Sequence, residues 1–101
     1  MTTARLALAC LALAGCAPDF ASCELDDGHV CVLGPGSIVA PDRCAGAYSP
    51  RGCDTERAMF YCFRGDGTAV YVSVRYTREA ARADAELLCR GATVVTAPWA
   101  R

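Results

Sequence analysis

The sequence predicts a small disulfide-rich α+β domain, with a loop-rich N-terminal half followed by a β-β-α-β segment in which one helix packs on a small antiparallel sheet. Three observations carry this expectation. Cys23, Cys31, Cys44, Cys53, Cys62 and Cys89 are spread through the chain at spacings that suit bridges. Turn residues crowd the first half. Beyond it, an alternating β-branched run gives way to an Ala/Glu/Arg/Leu-rich one.

The first half is punctuated by Asp26-Asp27-Gly28, Gly34-Pro35-Gly36, Ala40-Pro41-Asp42 and Ser49-Pro50-Arg51-Gly52, all turn-forming combinations. His29-Val30-Cys31-Val32-Leu33 reads as a short strand between the first two, and Ser37-Ile38-Val39 as a weaker one. From about Ala58 the chain becomes regular. Met59 to Arg64 is aromatic and strand-like, and Gly65-Asp66-Gly67 reads as a hairpin turn. Thr68 to Tyr76 is the strongest strand, with Val70, Val72, Val74 and Tyr76 alternating against Ala69, Tyr71, Ser73 and Arg75. Thr77 suits an N-cap. Arg78 to Arg90 reads as a helix supported by Glu79–Arg82 and Arg82–Glu86 pairs, with Gly91 placed as its C′ glycine. Ala92 to Ala97 reads as a third strand ended by Pro98.

Turn length decides which residues share a face. A three-residue Gly65-Asp66-Gly67 loop pairs Arg64 with Thr68 and sets Cys62 opposite Val70; directly opposite residues lie on one face. Phe60, Cys62, Val70, Val72 and Val74 then line the side under the helix, where Cys89 can meet Cys62. A two-residue Asp66-Gly67 turn shifts the register by one and turns Cys62 to the other side. Cys62–Cys89 is the one pairing the sequence suggests.

Six cysteines allow 15 pairings. Zinc sites favour thiolates two to four residues apart; the shortest gap here is seven residues, and His29 is the single histidine. The expectation is three disulfides, no metal and no cofactor, as in small exported domains.

The N-terminus reads as targeting sequence. Arg5 is its single charge, and the Leu/Ala-rich run Leu6 to Leu13 falls well short of the roughly 20 apolar residues of a membrane-spanning helix. The run Leu13-Ala14-Gly15-Cys16 resembles the lipobox of bacterial lipoprotein precursors. That resemblance implies a cleaved signal peptide over residues 1–15, acyl chains on Cys16, a lipidated tether over 16–22 and a stapled domain over 23–101. Ala17, where an Asp resembles an inner-membrane retention signal, points to the outer membrane of a two-membrane envelope. The competing reading is Ala12-Leu13-Ala14 as an A-x-A cleavage site, which yields a secreted protein. Cysteine parity separates the two. Of eight cysteines, Cys10 leaves with the signal under either scheme; lipidation of Cys16 leaves six, whereas ordinary cleavage leaves an odd seven. The mature chain is then 86 residues, one small domain.

Removing Arg5 leaves nine arginines against eleven acids, a net charge of −2, and the chain has no lysine. That balance argues against nucleic acid, whose phosphates call for clustered cations.

Candidate chemistry is sparse. Arg64-Gly65-Asp66 spells the integrin-binding tripeptide, but a hairpin turn asks for Gly and Asp anyway. Asp26-Asp27-Gly28 lacks the six to eight oxygens of a calcium loop and reads as a solvated turn. His29 reads as a surface strand residue with no nucleophile to serve. Ser37 lacks the G-x-S-x-G elbow. Arg51, between Cys44 and Cys53, resembles in outline the presented residue of a disulfide-braced protease-inhibitor loop. Tyr61, Phe63 and Tyr71 form a binding surface under the three-residue-turn register, or else pack under the N-terminal half. The expectation is a non-enzymatic lipoprotein of the bacterial envelope, held to the membrane by its lipid and binding an envelope protein or glycan. The alternative is an envelope-displayed inhibitor of a protease or lysozyme.

Overall fold

The computed structural model describes residues 19–101; the expected signal segment, the lipobox-like run and Cys16 lie outside the described residues. Six strands form one antiparallel sheet: β1 (Phe20–Leu25), β2 (Val30–Pro35), β3 (Ala47–Ser49), β4 (Ala58–Phe63), β5 (Ala69–Ser73) and β6 (Val95–Thr96), in the order β3-β1-β2-β5-β4-β6. One α-helix among the described residues, α1 (Arg78–Cys89), crosses a single face, and short 3-10 turns occupy Pro41–Arg43 and Pro98–Ala100.

The fold is therefore richer in strand than the sequence suggests. β4, β5, α1 and β6 follow the expected order, but they are half of a larger sheet. The N-terminal half is not mainly loop: β1 and β2 pair over six residues each, and β3 adds to the outer edge of β1. The stretch 16–22 is not all tether, because Phe20, Ala21 and Ser22 are already in β1. In that strand Ala21, Cys23 and Leu25 share one face and Phe20, Ser22 and Glu24 the other; Ala21, Ser22 and Cys23 are all buried, so both faces are covered in the middle of the strand. Ser37-Ile38-Val39 is a turn, since the N–H groups of Ile38 and Val39 both donate to the Pro35 carbonyl at 2.8 and 2.9 Å.

The β4–β5 hairpin takes the three-residue loop. Cys62 faces Val70, Phe63 faces Ala69, and Arg64 N–H donates to the Thr68 carbonyl at 2.8 Å. Regular pairing of β5 stops at Ser73 because its neighbours run out: β2 begins opposite Val72 and β4 opposite Ser73. Val74 and Tyr76 are consequently exposed, so Val74 does not join the covered face. A bulge at Met59 takes up one residue between Ala58 and Phe60.

Helix α1 starts as expected, with the Thr77 hydroxyl accepting from Ala80 N–H at 3.1 Å. It ends one residue early: Arg90 and Gly91 are both left-handed (φ 52° and 88°), and Ala92 N–H returns to the Cys89 carbonyl. Ala81, Ala85 and Cys89 form its inward stripe at i, i+4 and i+8. Small side chains there let the helix sit close over Val30, Phe60, Cys62, Val70 and Val72. Burying a Phe or Val side chain in full is worth roughly 1.5–3 kcal/mol. Arg78 and Arg82 close the top, their guanidinium groups 5.7 and 5.6 Å from the Phe60 ring centre. After the helix the chain forms only a two-residue β6, shorter than the expected Ala92–Ala97 strand. It is held by Ala97 N–H to Met59 O and by Trp99 Nε1–H to Ala58 O.

Three disulfides staple this layer: Cys23–Cys44, Cys31–Cys53 and Cys62–Cys89. The last is the pairing the hairpin register suggested.

Candidate functional site

Because α1 covers only one face, the opposite face of the sheet is where side chains remain available. Pairing fixes its membership. Opposite Leu33 stand Ser22 and Ala69, and Ala69 faces Phe63; one step along, Glu24, Cys31, Tyr71 and Tyr61 align. The segment after β3 crosses part of this face, pinned by Cys31–Cys53 and with Gly52 against Leu33. It divides the face into two recesses.

One recess, of about 140 Å³, is polar and is lined by Glu24, Asp27, Asp54, Arg57, Tyr71 and Ser73 among others. The other is apolar, a shallow groove of about 250 Å³ between Phe20 and Phe63, floored by Leu33, Ala69 and Tyr71. Phe20 and Phe63 are 60% and 66% exposed, high values for phenylalanine. Tyr61 stacks on Tyr71 with centroids 5.9 Å apart and meets Phe63 edge-on at 5.8 Å, geometries that favour aromatic pairs. Tyr61, Phe63 and Tyr71 thus come together as a continuous aromatic strip, and the N-terminal half leaves Phe63 open. Phe20 and Leu33 complete it. Phe20 went unread because it lies so close to Cys16, although the alternation of β1 marks it as outward.

Several of the other candidates have structural roles. Arg64 and Asp66 are engaged by the hairpin they flank. Arg64 donates to the Thr68 hydroxyl at 2.8 Å and to the Leu88 carbonyl at 3.2 Å, while Asp66 accepts from Thr68 N–H at 2.9 Å. The Thr68 hydroxyl and backbone N–H both donate to Asp66 and hold its carboxyl below the usual aspartate range. Asp26 forms an ion pair with Arg75, whose donated hydrogen bond lowers the Asp26 pKa and raises that of Arg75. Asp26 and Asp27 take left-handed backbone (φ 58° and 57°) and Gly28 follows at 86°, a conformation aspartate tolerates better than most residues. This is the tight β1–β2 connection.

His29 differs from its expected place. It is buried, and its Nε2 lies 2.9 Å from Asp84 Oδ2 on α1. The bond ties the β1–β2 turn to the helix; Nδ1 is also buried and has no hydrogen-bond partner. No serine or thiol is bonded to the ring, and its second nitrogen is shut from solvent, so the pair is built as a brace. Ser37 is exposed in its turn, its carbonyl 3.4 Å from Arg43. Arg51 stands exposed on a segment fixed at both ends by Cys23–Cys44 and Cys31–Cys53, its N–H donating to Ser49 Oγ at 3.1 Å.

The chain matches no protein-family model, no curated protein and no solved structure. The aromatic strip therefore stands as a candidate on its own geometry: a shallow apolar groove between two exposed phenylalanines.

Proposed function

We propose that the protein is a lipid-anchored lipoprotein of the bacterial envelope whose role is binding, not catalysis, with the Phe20–Phe63 strip as its contact surface. The observation that carries the reading is the closing of the cysteine set. Leu13-Ala14-Gly15-Cys16 has the lipobox pattern, and the six cysteines beyond it pair among themselves. None of them needs Cys16 as a partner, which supports its assignment to lipid. Two or three acyl chains on one residue anchor stably where a single one binds marginally. Intact mass of the native protein tests the reading. The expected mass begins at Cys16, carries diacylglyceryl and lies six hydrogens below the reduced form. A mass beginning at Gly15 overturns it.

A second reading, an inhibitor of an envelope-directed protease or lysozyme, draws on the Arg51 segment. Bracing at both ends lowers the ordering cost of docking a loop in an enzyme cleft. Purified protein at micromolar concentration against trypsin-like proteases and lysozyme, with Arg51→Ala as control, decides it; absence of inhibition removes this reading.

A further inference from the structure

We propose that the Phe20–Phe63 rim of the open sheet face seats on the lipid bilayer itself, so that the protein lies against its membrane by a defined side. The proposal rests on the lipoprotein reading and names the partner of that same surface.

The chain upstream of β1 supplies the first argument. Cys16 is four residues before Phe20; at roughly 3.5 Å per extended residue that is about 14 Å at most. Acyl chains attached at Cys16 therefore hold the start of β1 within that distance of the headgroups. The rim that begins at Phe20 is the part of the molecule brought there.

The rim's composition supplies the second. Phe20 and Phe63 face each other across a groove of Leu33, Ala69 and Tyr71, and aromatic rings on an apolar base favour the headgroup–acyl boundary. The polar groups of the adjoining hairpin are hydrogen-bonded within the fold: Arg64 to the Thr68 hydroxyl and the Leu88 carbonyl, Asp66 to Thr68 N–H. Both stay at headgroup depth while the Phe63 ring reaches further in. Asp19 adjoins Phe20 and limits how deep that ring goes, so Phe63 is the deeper of the two.

The test places tryptophan on either side of the molecule. Phe63→Trp and Leu87→Trp both alter exposed positions; Leu87 is 76% exposed on α1, the helix that covers the opposite face. Native Trp99 binds Ala58, at the far end of β4 from Phe63, about 17 Å away at strand rise. It serves as an internal reference in every sample. Lipidated mature protein is reconstituted into vesicles of phosphatidylglycerol and phosphatidylcholine brominated on its acyl chains. Phe63→Trp is expected to lose more than half of its added emission, with Leu87→Trp and wild type quenched little. Equal quenching at 63 and 87, or none at 63, in protein whose mass shows the lipid, overturns the seated orientation alone. Protein whose mass carries no acyl chain overturns the anchor, and this inference with it.

Discussion

The two halves of the sheet are held together by different means. Under α1, β4 and β5 contribute to a cluster of eight buried residues that includes Phe60, Val70 and Val72, and one disulfide crosses it. The β1–β3 half has a cluster of only Ala21, Cys23 and Val39, yet it carries the other two disulfides. Where one helix covers part of a six-stranded sheet, the uncovered part cannot bury enough to hold itself, and covalent links replace packing. Small domains commonly meet this limit.

Substitutions break the comparison in order of size. Phe60→Ala removes the largest fully buried side chain and is expected to cost about 3–5 kcal/mol, seen as a large fall in the urea midpoint of the whole domain. Replacing Cys23 and Cys44 together by Ala is expected to cost about 2–4 kcal/mol, with the loss concentrated in β1 and β3. Hydrogen exchange then speeds in those strands while α1 amides stay protected; uniform loss across both halves would show that they unfold as one unit. Smallest is the Asp26–Arg75 contact, which joins the β1–β2 turn to the end of β5. Its aspartate is depressed in the fold, so its contribution is present above the unfolded carboxyl value of about 3.9 and fades as pH falls through the lower folded value. Asn tolerates the same left-handed backbone. Asp26→Asn is therefore expected to trail wild type slightly at neutral pH, with the gap closing in acid; a gap that persists at pH 2 would trace the effect to something other than charge.

The same division governs what the sequence reveals. The C-terminal half was legible because local rules agree there: Gly65-Asp66-Gly67 fixes the register, Thr77 caps the helix, and register plus helix length bring Cys89 over Cys62. The N-terminal half was not, for three physical reasons. β1 follows the lipobox-like run so closely that its first residues read as tether. β3 is three residues long, too short to carry a period; it exists because Gly46 lets the chain approach the Glu24 carbonyl more closely than any side chain permits. His29 lies next to a strand that hides its 55-residue contact with Asp84. The aromatic strip was half legible. Tyr61, Phe63 and Tyr71 follow from the hairpin register, whereas Phe20 and Leu33 join them only through the β1–β2–β5 pairing.

The bridges Cys23–Cys44 and Cys31–Cys53 interleave along the chain, each enclosing one cysteine of the other, while Cys62–Cys89 stands apart. A reduced chain does not meet its partners in that order. Loop closure favours short spans, and Cys23 with Cys31, Cys44 with Cys53, and Cys53 with Cys62 are the near neighbours. Oxidation thus begins with wrong pairs, and maturation of the N-terminal half depends on thiol–disulfide exchange guided by the β1–β2 hairpin. Oxidative refolding of the reduced chain is therefore expected to speed up when a catalyst of thiol–disulfide exchange is added.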